Sequence, residues 1–352
     1  MGALSNPLLV LSGFEGKAEE ALYGGRGAVS VAIGPSTSGR ALFLLALWRS
    51  AKTLVVLTGN LGDAERLLGD LASLLLGERS PDPFESPLCL YPPDQPFLDP
   101  DSTADPQAVH RRLYALYRLT QGKPTIVVAP ASALLTPTIP PEALSQATLL
   151  VRRGDCLPRE ELVGRLLRLG YERAELVEQA GQFALRGGVV DVFPSNSLKP
   201  LRLELFGDEV ESIREFDPES QRSTRELDKA TILPAREVLF DRERFEETAN
   251  ALEEEAHRTA EMLRAEGKGE AALRVLEWAS EEATALRNCS PFPTLEKYKP
   301  LLGGVATLAD YLPQTAVFVV DEPAKVKAHL EEFEREVRKS TERALERGEI
   351  LP

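Results

Sequence analysis

The chain has 352 residues, with 41 Lys and Arg against 55 Asp and Glu, and a formal charge of −14. Its 43% hydrophobic and 27% charged content is that of a globular protein, which excludes a wholly disordered chain, and its length predicts roughly two to three domains. No apolar run approaches the ~20 residues that cross a bilayer, and the opening residues lack a basic secretion-signal region. Cys89, Cys156 and Cys289 form no CxxC pair, which speaks against a disulfide framework or a zinc site. His110, His257 and His329 are too few for a histidine-rich metal centre. A cytoplasmic protein without a cofactor is expected.

The charge is unevenly spread. Residues 237–352 carry 16 basic and 25 acidic side chains, a net of −9, while residues 1–150 are at −3 and residues 151–236 at −2. Nucleic-acid binding rests largely on Lys and Arg neutralising phosphates, so no segment suits a DNA-wrapping surface. A local basic patch is best placed in the middle third, where arginines are dense.

In chain order, the first third alternates strand-like and helix-like runs. Val29–Ile33 reads as a strand, 40–50 as a helix, Thr53–Thr58 (TLVVLT) as a buried strand and 63–76 as an amphipathic helix. Leu88–Tyr91 and Thr125–Ala129 are further strands, with a helix over 110–119 between them. That alternation predicts a parallel sheet covered on both faces. The middle third predicts one helix over 157–170, then strands at Arg173–Val177, Gln182–Leu185, Gly188–Phe193, Leu201–Phe206 and Val210–Phe216. These predict a small antiparallel α+β unit. The last third predicts two long acidic helices over 242–265 and 270–287, a strand at Ala316–Val320 and a charged helix from 324 to about 346.

Three stretches carry candidate chemistry. Gly34-Pro-Ser-Thr-Ser38-Gly39-Arg40-Ala41 follows a strand and opens a helix, with the glycine spacing of a phosphate loop, G-x-x-x-x-G-K-[ST]. Such a loop needs a Lys for the β- and γ-phosphates and a hydroxyl for Mg²⁺. Here Arg40 and Ala41 stand in those places, so a vestige without ATPase activity is expected. An ordinary αβ turn and residual nucleotide binding are the alternatives. Second, Val317-Phe-Val-Val followed by Asp321-Glu322 resembles the metal-binding strand of nucleotide hydrolases, against the bland alternative of a strand ending at a helix start. Third, Arg173, Arg186 and Arg202 sit near or within the middle strands. Arg202 and Glu204 are two apart, hence on one face, with Leu201, Leu203 and Leu205 on the other. A face bearing Arg, Glu and Phe183 suits protein recognition, and a solvated face with internal ion pairs is the alternative.

The segments GYER (170–173), GQFALRGGVVDVFP (181–194), LRLELFGDEVESIREFDP (201–218) and QRS (221–223) closely resemble the transcription-repair coupling factors (Mfd) and, less closely, the excision-repair subunit UvrB. The resemblance covers nearly the whole chain. It implies a degenerate P-loop, RecA-like α/β lobe over residues 1–144, an inserted α+β UvrA-binding domain over 145–236, and a mostly helical return segment over 237–352 that completes the lobe. UvrB carries an intact phosphate loop and a Tyr-rich hairpin that clamps damaged DNA. Arg40-Ala41 and the short YPPDQPFLDPDS (91–102) depart from both. The DExH-like box of UvrB corresponds to Asp321-Glu322 but continues as Pro-Ala.

By the same resemblance, the residues that contact UvrA fall on Arg173, Arg186, Arg202 and Glu204, with Phe183 added by proximity. A further arginine of that set is Ala184 here. The implied function is a non-catalytic docking module that brings UvrA to RNA polymerase stalled at DNA damage. The polymerase-binding domain and ATP-dependent DNA translocase motor of the family would lie beyond Pro352. The family further implies that another part of the full-length chain masks the UvrA face. Two rival expectations remain, an active nucleotide-dependent helicase lobe and a direct DNA-binding module.

Overall fold

A computed structural model describes residues 37–77, 82–94 and 105–352; Gly34 and the expected strand Val29–Ile33 lie outside the described residues. The elements run α1 (Thr37–Ala51), β1 (Thr53–Thr58), α2 (Leu61–Leu76), β2 (Leu88–Leu90), α3 (Pro106–Thr120), β3 (Thr125–Pro130) and α4 (Pro141–Ala147). Then follow β4 (Leu149–Arg152), α5 (Arg159–Arg168), β5 (Glu172–Arg173), β6 (Gln182–Arg186), β7 (Val189–Val192), β8 (Leu201–Phe206), β9 (Glu209–Phe216), β10 (Ser223–Leu227) and β11 (Lys229–Ile232). The last part holds α6 (Arg242–Ala265), α7 (Gly269–Arg287), α8 (Lys299–Leu302), β12 (Val317–Val320) and α9 (Pro323–Arg347). The chain divides into two units, one of residues up to Pro93 with Tyr114–Leu135 and Leu308–Glu331, the other of Asp94–Leu113, Thr136–Thr307 and Glu332–Pro352.

The first unit is the expected α/β lobe. Its sheet runs β12-β1-β3-β2, all parallel, with Leu54 paired to Val317 on one side and to Ile126 on the other. Every residue of TLVVLT is buried, as a central parallel strand covered on both faces requires. Ala41, Leu44 and Leu45 of α1 and Leu67 and Leu71 of α2 pack with Leu54, Val56, Ile126 and Val128. Asn60 starts α2 by accepting a hydrogen bond from the Asp63 amide, and Gly77 ends it at φ 74. Of the expected return segment, only Leu308–Glu331 belongs to this unit.

The second unit holds the inserted domain between β4 and β11. Its sheet runs β10-β9-β8-β7-β6-β5, and β4 pairs separately with β11. The sheet is antiparallel except at one edge, where β5 and β6 run parallel, which corrects the wholly antiparallel expectation. The expected strand Arg173–Val177 shrinks to β5; beyond it the chain bends away, and Val177 is buried in a small cluster with Ala184, Phe193 and Phe216. One sheet face packs Phe183, Val190, Val192, Leu201, Leu203 and Ile213 with Leu162 and Leu166 of α5. The ends of the domain are tied together at a buried point. The Tyr171 hydroxyl donates to the Leu233 carbonyl at 2.7 Å and accepts from the Ser195 amide at 3.1 Å, and Ser195 Oγ donates to the Pro234 carbonyl at 2.7 Å.

In this unit α6 and α7 form an antiparallel hairpin closed by Gly267 at φ 80. Phe245, Ala249, Leu252, Ala256, Ala260 and Leu263 face Ala271, Ala272, Val275, Ala279, Ala283 and Leu286, and the many alanines let the backbones come close. Just after β11 lies a buried charge cluster. Arg112 Nε donates to Glu237 Oε1 at 2.7 Å, and its Nη atoms donate to Thr136 Oγ1 and the Pro137 carbonyl, each at 3.0 Å. Lys299 Nζ lies 2.5 Å from Asp94, 2.5 Å from Glu237 and 3.3 Å from Glu296. A buried cation among three carboxylates joins three stretches distant in sequence, and no local pattern signals it.

Candidate protein-interaction site

In the first unit, the structure brings the start of α1 and the acid that follows β12 together. Ser38 and Gly39 lie in the first turn of α1. Arg40 Nη1 donates to Asp321 Oδ2 at 2.7 Å, and Asp321, following β12, extends the ladder by donating its amide to the Leu57 carbonyl. The guanidinium therefore lies against the acid that a metal-dependent site would use. Burial pushes the Asp321 carboxyl above its ordinary value, and Arg40 opposes the push. Ala41, where a Mg²⁺-ligating hydroxyl would stand, is fully buried among Leu44, Leu54 and Val56. Glu322 is exposed at φ 53, a left-handed backbone that few non-glycine residues adopt, and its carboxylate faces Lys325 at 3.8 Å. Among the described residues, no group of His, Cys, Asp and Glu could hold a metal ion.

In the second unit, cross-strand register builds the polar face of the inserted sheet. β6, β7 and β8 place Ala184, Asp191 and Arg202 in one row, and β9 continues it with Arg214. The next row is Arg186, Val189, Glu204 and Ser212. Arg202 is held from three sides. Its Nε and Nη2 donate to the two oxygens of Asp191 at 2.7 and 2.8 Å, Nη1 donates to the Gln221 carbonyl at 3.2 Å, and its guanidinium lies 4.6 Å from the Phe216 ring centre. The bonds it donates to Asp191 push the Arg202 pKa up, against the effect of burial. Bidentate pairs of this kind give orientation as well as energy. Glu204 accepts from Ser212 Oγ at 2.6 Å and from Arg214 Nη1 at 3.2 Å.

The other two arginines differ in kind. Arg186 is exposed at the end of β6, with one long contact of 3.5 Å to the Glu175 carbonyl. Arg173 is exposed on edge strand β5, and among the described residues it makes no salt bridge. Phe183 does not lie on this face. It is 0% exposed, paired with Val192 and packed in the core, while its neighbour Ala184 turns to the other face of the strand and is itself buried with Val177, Phe193 and Phe216. That corrects the expected recognition role of Phe183. The sequence reading also missed Asp191, Arg214 and Phe216, which complete the network. The alternation in DVF (191–193) and SIREF (212–216) carried that signal.

Residues 149–238 match the UvrB interaction domain family, almost the span of the inserted domain. Transcription-repair-coupling factors are similar along much of the chain. That of Bacillus subtilis is 32% identical over 326 residues, 90% of this chain and 26% of the relative. That of Myxococcus xanthus is 34% identical over 272 residues, 74% of this chain and 21% of the relative, and that of Haemophilus influenzae 31% over 274 residues, 75% and 21%. The chain thus spans about a quarter of the length of the curated relatives it matches. A UvrB interaction domain at residues 149–238, in a chain related over nine-tenths of its length to transcription-repair-coupling factors, marks this protein as a relative of that family, consistent with its amino-terminal module.

Proposed function

We propose that this chain is a protein-docking module whose inserted domain binds UvrA and so serves transcription-coupled excision repair. The observation that carries the proposal is the split among the arginines of one sheet. Arg202 and Glu204 are committed to internal partners that hold the face in shape, while Arg173 and Arg186 are exposed cations without ion pairs among the described residues. Prearranged neighbours lower the ordering cost of binding, and unpaired rim charges speed and orient encounter with a complementary surface.

The lobe has no hydrolytic role in this proposal. The Arg40–Asp321 pair and the buried Ala41 methyl support that, since neither leaves a lysine for phosphate or a hydroxyl for Mg²⁺. Contacts to RNA polymerase and DNA, and any masking of the face, belong to parts of a longer protein. Calorimetric titration of the whole chain into UvrA tests the proposal. Wild type should bind saturably, and Arg173→Glu with Arg186→Glu should abolish binding without changing the melting temperature. Retained binding in that double variant would place the interface elsewhere. Titration with labelled ATP should show no saturable uptake, and steady-state hydrolysis would overturn the non-catalytic assignment.

A further inference from the structure

In the second unit, a cavity of about 490 Å³ opens where the inserted domain joins the helices that flank it. Leu149 at the start of β4, Leu169 just after α5, Leu239 and Phe240 just before α6, and Leu302 of α8 line it. Cavities of this size, with largely apolar walls and a few placed polar groups, are those that take small ligands. The wall is fixed by the backbone. The Phe240 amide donates to the Arg168 carbonyl and the Ala235 amide to the Leu169 carbonyl, each at 2.9 Å, which ties the outgoing chain to the end of α5.

Three arginines reach the same cavity, Arg165 and Arg168 one turn apart on α5 and Arg244 on α6. Arg165 pairs with Glu161 at 2.6 Å. Arg168 is exposed, and among the described residues its guanidinium has no hydrogen-bond partner or ion pair. Arg244 Nη1 donates to the Leu302 carbonyl at 3.0 Å, and its other donors are free among the described residues. The two acids in the wall are already committed, Glu237 to Arg112 and Lys299, Asp241 to the amides of Glu243 and Arg244. The charge left over is therefore positive, and it stands against an apolar wall. Inorganic phosphate would leave that wall uncovered, and a neutral hydrocarbon would leave the guanidinium groups unpaired.

We propose that this cavity binds a small organic anion with an apolar body, of the class of medium-chain carboxylates. Its carboxylate pairs with Arg168 and Arg244, a match that orients the ligand, and its chain lies along Leu149, Leu239 and Phe240. Fluorescence titration of the whole chain with anilinonaphthalene sulfonate, an aryl anion, tests this without UvrA. The dye should bind saturably and be displaced by decanoate. Decanol and inorganic phosphate should each displace it at least about tenfold less well, since each lacks one half of the match. Arg168→Ala should weaken decanoate binding about tenfold with an unchanged melting curve. Ala143→Phe, which puts a ring into the cavity from α4, should abolish it. Decanoate should raise the melting temperature of the wild type and leave that of Ala143→Phe where it is. Absence of saturable dye binding, equal displacement by decanol, or decanoate binding like wild type in both variants would overturn the assignment.

Discussion

Lys299→Met is the sharpest test of how the inserted domain is held to the rest of its unit. The substitution keeps an unbranched side chain of nearly the same reach and removes the ammonium. Lys299 is 3% exposed, Asp94 4%, Glu237 3% and Glu296 1%, so the carboxylates left behind have no access to water. Removing one partner of a buried ion pair costs about 3–5 kcal/mol, because the other charge stays buried without compensation. For a unit of this size that corresponds to a fall in melting temperature on the order of 10 °C. Urea unfolding followed by Trp278 fluorescence, in a Trp48→Phe background, measures the change. Trp278 reports on this unit, since its indole donates to the Gly348 carbonyl at 2.8 Å. A loss below about 1 kcal/mol would refute the buried-charge account, since that is the scale of a solvent-exposed pair.

The pH dependence has a definite sign. Burial pushes the Glu237 carboxyl up, but Arg112 and Lys299 outweigh it and hold the group well below its ordinary 4.5. Its stabilisation is therefore complete above that value and lost as pH falls through the folded pKa. Glu296 behaves oppositely. Burial raises its pKa, and neither carboxylate oxygen has a hydrogen-bond partner. Glu296→Gln removes a buried charge at nearly constant shape, so it should be neutral or stabilising at pH 7.

Other expectations follow from single contacts. Arg202→Ala should destabilise the inserted domain by about 3 kcal/mol, because it leaves the 2%-exposed Asp191 unpaired; a melting temperature equal to that of Arg186→Ala would contradict this. Gly188→Ala should cost about 1–3 kcal/mol, because its Cβ would lie 2.8 Å from the Leu205 carbonyl oxygen and force two hairpins apart. Thermal melting measures that loss, and an unchanged midpoint would mean the tips are not so closely apposed. Burial pushes the His110 pKa down to about 4, so its ring should titrate near that value by NMR. Because its folded pKa lies below the unfolded 6.5, stability should be full above 6.5 and fall as pH drops towards 4.

Much of this protein was legible from local pattern. The all-buried run TLVVLT, the alternation of Leu201, Leu203 and Leu205 with Arg202 and Glu204, and the glycine spacing that ends in Arg40-Ala41 are written in consecutive residues. Strand and helix periods act over a few residues, so they survive without knowledge of the fold. Only the tertiary structure decided which cations are spoken for. Arg202 is bound because β7–β8 register sets it opposite Asp191, and Phe183 is internal because β6 pairs it with Val192. The parallel β5–β6 edge, the Arg40–Asp321 contact across 281 positions and the charge cluster around Lys299 depend on where distant segments meet. Register and burial are properties of such meetings, and one stretch of sequence does not carry them.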